Sequence, residues 1–166
     1  MRKLHAMTLI VGAMTAGIAG AATTTTTFAV TSSLLATCSA TATPLAFAAY
    51  TPGGGNVANN GTISVKCTKN SPFTVALNRG TTAGGTVAQR LMAFGANTLQ
   101  YNLYTTAAFT TVFGDGSGAS QTEAGTGAGI ATAVAFTVFG QLPDNATNQA
   151  VVPGAYTDTI TVTVTY

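Results

Sequence analysis

Hydrophobic and polar residues alternate along most of this chain, which is the pattern of half-buried β-strands. The closing run YTDTITVTVTY shows it most clearly, because threonines occupy one face almost without interruption. The other face carries Tyr156, Ile160, Val162, Val164 and Tyr166. Five earlier runs are similarly extended: Thr43 to Tyr50, TISVKC, PFTVALN, TLQYNLY and AVAFTVFGQLP. Helical spacing is scarce, so the pattern predicts an all-β protein.

Glycine-rich segments separate these runs: PGGGNVANNG, NRGTTAGG, GDGSG, AGTGAG and LPDNATNQAVVPG. GTGAG lacks the lysine and following helix of a phosphate-binding loop, and GDGSG lacks the ligand ladder of a calcium loop. We therefore interpret all five segments as turns. Short strands joined by such turns predict a β-sandwich or barrel, but an immunoglobulin-like sandwich needs about seven strands and the runs supply about six.

The N-terminus has the features of a signal peptide. Arg2, Lys3 and His5 form a basic head, Met7 to Ile18 is a short apolar stretch, and Ala19-Gly20-Ala21 offers a small-residue cleavage site. The apolar stretch is shorter than the roughly 20 residues of a membrane-spanning helix. We therefore predict that residues 1–21 are removed on export and that the mature chain has no membrane span.

Removing the signal peptide changes the charge of the protein. The mature chain keeps four basic residues, Lys66, Lys69, Arg79 and Arg90, and four acidic residues, Asp115, Glu123, Asp144 and Asp158. Its net charge is therefore near zero. Nucleic-acid-binding proteins cluster Lys and Arg on one face, so this composition argues against nucleic acid as a partner.

The same composition argues against catalysis. The single histidine, His5, leaves with the signal peptide, and histidine is the commonest general base and metal ligand. The four acidic residues are scattered beside Gly, Pro or Thr in apparent turns, where local hydrogen bonding accounts for them. We predict no catalytic, cofactor or metal site.

Two cysteines, Cys38 and Cys67, are the only ones in the chain. An even number of cysteines in an exported protein predicts a structural disulfide. A redox pair would more commonly have the close spacing C-x-x-C.

An uncharged segment, ATTTTTFAVTSSLLATC, precedes the predicted sandwich at residues 22–38. Thr, Val and Phe favour extended backbone, and most proteins protect such a bare strand with lysine or proline. The strand either completes its own domain as the seventh strand or adds to the sheet edge of another chain. The residues themselves leave both arrangements open.

Four segments, in this order and spacing, resemble the spore coat protein U domain family, which includes pilin subunits of archaic chaperone–usher pili of the Csu type. They are TTTFAVTSSLLATCSATATPLAFAAYTP, GTISVKCTKNSPFTVALNRGT, LQYNLYTTAAFTTVFGDG and VPGAYTDTITVTVTY. The resemblance covers essentially the whole mature chain. It implies an incomplete immunoglobulin-like sandwich that lacks its last strand and therefore has an open hydrophobic groove.

In such pilins a periplasmic chaperone fills the groove until, at the outer-membrane usher, the N-terminal extension of the next subunit replaces it by donor-strand exchange. The resemblance implies a donor strand at residues 22–36 and a pilin domain at residues 37–166. The closing strand, Tyr156 to Tyr166, would form one groove edge. The donor side chains facing the groove would be Thr24, Thr26, Phe28, Val30, Ser32 and Leu34, of which the three apolar ones are the main anchors.

The sequence therefore predicts a surface-exposed, adhesive pilus subunit that assembles with identical or related subunits and functions in biofilm formation. A coat component of a spore or cell surface from the same family is an alternative. A monomeric secreted carbohydrate-binding module is a third hypothesis, for which Tyr50, Tyr101 or Tyr104 would be the stacking platforms. The chain contains no tryptophan, which argues against that third hypothesis.

Overall fold

A computed structural model describes residues 20–166 of the chain. The predicted signal peptide lies outside the described residues except for Gly20 and Ala21. The described residues divide into two units, residues 20–33 and Leu34–Tyr166. The described part of the first unit, residues 20–33, has no regular secondary structure and its side chains are exposed.

The second unit is built from eight strands and one helical turn. The elements in chain order are β1 Cys38–Ala42, β2 Val57–Cys67, β3 Pro72–Leu77, β4 Arg90–Phe94, β5 Asn97–Tyr104, β6 Glu123–Thr126, β7 Val134–Leu142, α1 Ala146–Gln149 and β8 Val162–Thr165. The strands form a five-stranded sheet in the order β1-β2-β7-β5-β4 and a three-stranded sheet in the order β6-β3-β8. All pairings between these strands are antiparallel. The all-β prediction is confirmed, and the arrangement is consistent with an immunoglobulin-like sandwich.

The core forms where the inward-facing side chains of the two sheets meet. Strand β2 buries every second residue, Ile63, Val65 and Cys67, while Lys66 between them is exposed. From the other sheet, β3 contributes Phe73, Val75 and Leu77 in the same alternation. Because side chains of a strand alternate between its two faces, the polarity pattern of these runs predicts their orientation correctly.

Three strands and the helical turn were not apparent in the hydrophobic pattern. Strands β1, β4 and β6 are edge strands or short strands with few buried side chains. Conversely, residues 43–50 are not assigned to a strand, and the predicted turn at residues 52–61 gives its last five residues to β2. Glu123 begins β6, so the interpretation of AGTGAG and its flanking acid as a turn is wrong in part.

The helical turn α1 lies within the segment interpreted as a loop. Asn145 caps it, since its side-chain oxygen accepts a hydrogen bond from the amide of Asn148 over 2.9 Å. The side-chain amide of Asn148 is fully buried. Its oxygen accepts a hydrogen bond from the backbone nitrogen of Gln100 (2.8 Å), and its nitrogen donates one to the backbone oxygen of Gln100 (2.9 Å). The Asn148 side chain thus satisfies backbone groups of β5 just before residues 102–104, which pair with β7.

Candidate binding groove

An open groove of about 640 Å³ lies on one side of the second unit, between two extended segments. One wall is residues 42–48, which follow the edge strand β1. The other wall is residues 156–162, which lead into the edge strand β8. Its floor is apolar and comes from both sheets, mainly Ile63, Leu77, Leu99, Leu103, Val138 and Leu142. A cleft of this shape and lining is suited to an extended apolar segment.

The first wall is anchored by Asp144, which follows β7. Its Oδ1 accepts hydrogen bonds from the Tyr50 hydroxyl (2.6 Å) and the Gly53 amide (3.1 Å), and its Oδ2 accepts from the Gly55 amide (2.8 Å). Gln149 donates to Oδ1 over 3.0 Å. The hydrogen bond from Tyr50 is the main reason that the pKa of Asp144 lies well below its usual range. Partial burial and the same bond raise the pKa of Tyr50 to about 12.

The second wall is anchored by Asp158. Its Oδ1 accepts from the backbone amides and the hydroxyls of Thr81 and Thr82, at 2.9–3.1 Å. Its Oδ2 accepts from the Tyr101 hydroxyl over 2.7 Å. Gly80, with φ +92°, passes so close to this carboxylate that no Cβ would fit there. Burial raises the pKa of Asp158, but the hydrogen bonds from Tyr101, Thr81 and Thr82 outweigh burial and lower it overall.

One backbone edge of this second wall has no neighbouring strand in the described sheets. The backbone of Thr157 exchanges hydrogen bonds with Ala93 of β4, at 2.9 and 3.1 Å. The Thr161 oxygen accepts from the Asn78 amide, and the Thr161 amide donates to Asn78 Oδ1. Backbone groups of an extended segment point alternately to opposite sides. The backbone amides and carbonyls of the even-numbered residues 158, 160 and 162 therefore point away from Ala93 and Asn78 and toward the groove.

Comparison with known families decides the relationship. The sequence profile of the Spore Coat Protein U domain matches residues 24–163. The chain belongs to this family. A comparison with curated proteins gives no match.

A solved structure of similar fold is the CsuC–CsuE chaperone–tip adhesion subunit pre-assembly complex from archaic chaperone-usher Csu pili of Acinetobacter baumannii. The similarity has a TM-score of 0.57 at 20% sequence identity. It covers 80% of this chain and 40% of that chain, so the present chain spans less than half of the matched protein. The expected resemblance to the family is confirmed, and the structural similarity establishes the fold.

The five predicted groove-edge residues alternate along residues 156–166 of this chain, and all but one face the interior. Tyr156, Ile160, Val162 and Val164 are half-buried, and the first three line the groove. Tyr166 is 58% exposed at the chain end and, like Val164, does not line this groove, so its role at the groove edge stays a prediction.

The predicted donor residues are exposed. Phe28, Val30 and Leu34 have exposed fractions of 86%, 84% and 90%, and Thr24, Thr26 and Ser32 are exposed as well. Their role as a donor strand stays a prediction. Cys38 and Cys67 are directly opposite each other in the β1–β2 pair and are joined by a disulfide, as predicted.

Two buried or half-buried polar residues, Asp158 and Arg90, have roles in the structure that the sequence does not predict. The threonines beside Asp158 indicate a turn, but Asp158 lies on the inward face between Tyr156 and Ile160, as the alternation of the segment predicts. Arg90 is fully buried, and its guanidinium donates to carbonyl oxygens of Asn78 and Phe113 and to Oδ1 of Asn102. Burial lowers the pKa of Arg90. A single arginine in a strand-length run carries no sequence signal for such a site.

The three tyrosines considered as sugar-stacking platforms are engaged in contacts within the fold. Tyr101 is buried, and Tyr50 and Tyr104 are half-buried. Tyr50 and Tyr101 donate their hydroxyls to Asp144 and Asp158, and the Tyr104 ring packs edge-on against Phe109 with centroids 5.5 Å apart. This arrangement does not favour the carbohydrate-binding hypothesis, since stacking on a sugar requires an exposed ring face.

Residues 20–166 contain no group of three or more His, Cys, Asp or Glu side chains close enough to hold a metal ion. Across the same described range, no helix is long and apolar enough to cross a membrane.

Proposed function

We propose that this chain is a structural subunit of an archaic chaperone–usher pilus and that it polymerises by donor-strand exchange. In this proposal the extension at residues 22–36 of one subunit fills the groove of the next. The chain acts in surface adhesion and biofilm formation rather than as an enzyme. Before assembly a periplasmic chaperone occupies the groove, and an outer-membrane usher catalyses the exchange and delivers the fibre to the cell surface.

The observation that carries this proposal is the presence, in one chain, of an apolar groove and an exposed segment of matching character. The groove has a backbone edge able to accept another strand, and its floor is made of aliphatic side chains. The exposed segment alternates, with Phe28, Val30 and Leu34 on one side. Burying each of these side chains would contribute roughly 1.5 to 3 kcal/mol to the association. Family membership and the Csu-like fold support the same conclusion.

Two neighbouring substitutions in the donor segment test the proposal. Val30→Asp would place a carboxylate in an apolar groove, at a large desolvation cost. Thr31→Asp is the matched control, because residue 31 points to the other side of the strand and stays in water. We expect cells with Val30→Asp to make monomer but little surface fibre, and cells with Thr31→Asp to assemble normally.

The readout is the fibre yield in sheared surface fractions, measured by immunoblot alongside total subunit. Equal fibre yields from the two variants at equal expression would contradict the donor role of this face. A surface coat with no filaments, seen by electron microscopy of the parent strain, would favour the coat component of the same family instead.

A further inference from the structure

We infer that the donor segment enters the groove antiparallel to residues 156–162, in a single register that sets Ser32 opposite Asp158. This inference rests on the proposed function and specifies the recognition within the same groove. It follows from the positions of one polar residue in each of the two alternating segments.

Four inward-facing residues line the second wall of the groove, and they are Tyr156, Asp158, Ile160 and Val162. The donor face offers four consecutive positions with the same composition, Phe28, Val30, Ser32 and Leu34. Each set has three apolar side chains and one polar side chain, and in each the polar one is next to one end. Reversed in direction, the two sets match at every position.

The antiparallel register pairs Leu34 with Tyr156, Ser32 with Asp158, Val30 with Ile160 and Phe28 with Val162. A parallel register that also joined Ser32 to Asp158 would set Phe28 opposite Gly154. That position lies outside the residues lining the groove and is already covered by the Phe94 ring. The largest apolar donor side chain would then be left in water, so the antiparallel direction is favoured.

The hydrogen-bonding capacity of Asp158 fits a serine partner. Within residues 20–166, Oδ1 accepts four hydrogen bonds, whereas Oδ2 accepts one, from Tyr101. An ionised carboxylate oxygen has room for a second donor, and a serine hydroxyl supplies one. Such a bond would also explain why the apolar donor face is interrupted at residue 32.

The backbone geometry fits the same register. The even-numbered residues of the second wall direct their backbone groups into the groove side, so Ser32 and Asp158 form a hydrogen-bonded pair. The neighbouring odd-numbered pair, Thr31 and Thr159, is then a non-hydrogen-bonded pair with Cα atoms about 4.5 Å apart. Both threonines face outward, where substitution disturbs neither the groove floor nor the anchors.

The register also accounts for the threonines at the start of the donor segment. Thr26 and Thr24 would lie opposite Val164 and Tyr166, beyond the residues that line the groove. Side chains at these two positions stay in contact with water, so polar residues cost little there.

Intermolecular cysteine cross-linking tests the register in the full chain. The two native cysteines are joined to each other, so introduced thiols do not compete with free ones. A chain with Thr31→Cys is mixed during assembly with a chain carrying Thr157→Cys, Thr159→Cys or Thr161→Cys. All three acceptor positions are exposed threonines of one segment, which makes them matched controls.

We expect the heterodimer with Thr159→Cys, identified by mass after mild oxidation, to exceed the other two at least fivefold. Polymer that cross-links best at residue 157 or 161, or at none of the three, would overturn the register while the proposed function stands. Absence of any polymer from the unsubstituted chain under the same conditions would overturn the proposed function itself.

The Ser32 hydroxyl is tested by two valine substitutions. Simple burial predicts that Ser32→Val and Thr26→Val both strengthen donor binding. In the inferred register Ser32→Val weakens it about tenfold, because a hydrogen bond to a charged group is lost, whereas Thr26→Val changes it less than twofold. The measurement is the rate at which preassembled polymer exchanges labelled subunits. Tighter binding by Ser32→Val would contradict the contact with Asp158.

Discussion

Arg90 Nη1 donates a hydrogen bond to Oδ1 of Asn102 over 2.7 Å, in a site where both side chains are buried. The remaining guanidinium hydrogens bind the carbonyl oxygens of Asn78 and Phe113 at 2.8–2.9 Å. A buried cation whose partners are neutral oxygens depends on this complete set of acceptors. Arg90 therefore holds together the chain segments that follow β3 and β5.

Replacing Arg90 tests this role. Arg90→Met leaves several buried carbonyl oxygens without donors, and Arg90→Lys cannot reproduce the planar fork. We expect each to lower the free energy of unfolding by about 3 kcal/mol or more, measured by urea denaturation. Lys66→Met removes an exposed positive charge from β2 and should stay within about 0.5 kcal/mol of the parent. Similar losses for Arg90→Met and Lys66→Met would contradict the structural role of the buried guanidinium.

The disulfide is a second source of stability. Cys38 and Cys67 are 29 positions apart, and in the chain-entropy model closing such a loop contributes roughly 3 to 4 kcal/mol. We expect the double variant Cys38→Ser/Cys67→Ser to lose about that much free energy of unfolding. Under non-reducing conditions, peptide mass spectrometry of the parent should find the two cysteines linked. Two free thiols in protein purified from the periplasm would disprove the bond.

Because Asp144 anchors the first wall through its ionised carboxylate, the free energy of unfolding should depend on pH in the acidic range. Its pKa is lowered in the folded state from an ordinary value of 3.8, so its contribution is present above that value. The contribution is lost as the pH falls through the lower folded-state pKa. We expect Asp144→Asn to be less stable than the parent at pH 7 and the difference to shrink toward pH 2. Urea midpoints at several pH values give the comparison.

Tyr50→Phe serves as the companion variant, because it removes one donor and keeps the carboxylate. It should raise the folded-state pKa of Asp144 and so narrow the pH range over which the free energy of unfolding changes. An unchanged difference between parent and Asp144→Asn from pH 7 to pH 2 would contradict the anchor.

Deleting residues 22–36 should separate the two halves of assembly. The truncated chain keeps its groove, so it can accept a donor strand but cannot offer one. We expect it to bind chaperone, to form no fibres alone and to shorten fibres when mixed with the full chain. Fibre lengths from electron micrographs provide the test, and full-length fibres from the truncated chain would rule out a donor function.

The central strands could be predicted from the sequence because their side chains alternate between water and core. Ile63, Val65 and Cys67 are examples in which the face of each residue follows from polarity alone. Strands such as β1, Cys38–Ala42, could not be predicted in this way, since only Cys38 is even partly buried and its other residues are small. Their extended form depends on pairing with β2.

The candidate groove was predicted in outline and not in its polar detail. The alternation of the segment predicts that the apolar residues of the second wall face inward. It predicts the same for Asp158, which is also at an even-numbered position, although the threonines beside it indicate a turn. The anchors could not be predicted, because Asp144 and Tyr50 are 94 positions apart and meet only through the fold. The same holds for Arg90, whose acceptors come from three separate segments.

Three of the four carboxylates in residues 20–166 accept hydrogen bonds from hydroxyl and amide groups of their own subunit: Asp115 from Ser117, Asp144 from Tyr50, and Asp158 from Tyr101. The contact inferred between copies is apolar apart from one hydrogen bond, between the Ser32 hydroxyl and the Asp158 carboxylate. Dissolved ions screen attraction between exposed charges, whereas salts that are excluded from protein surfaces strengthen apolar burial. A filament of such subunits would therefore hold together at least as firmly in concentrated brine as in dilute buffer.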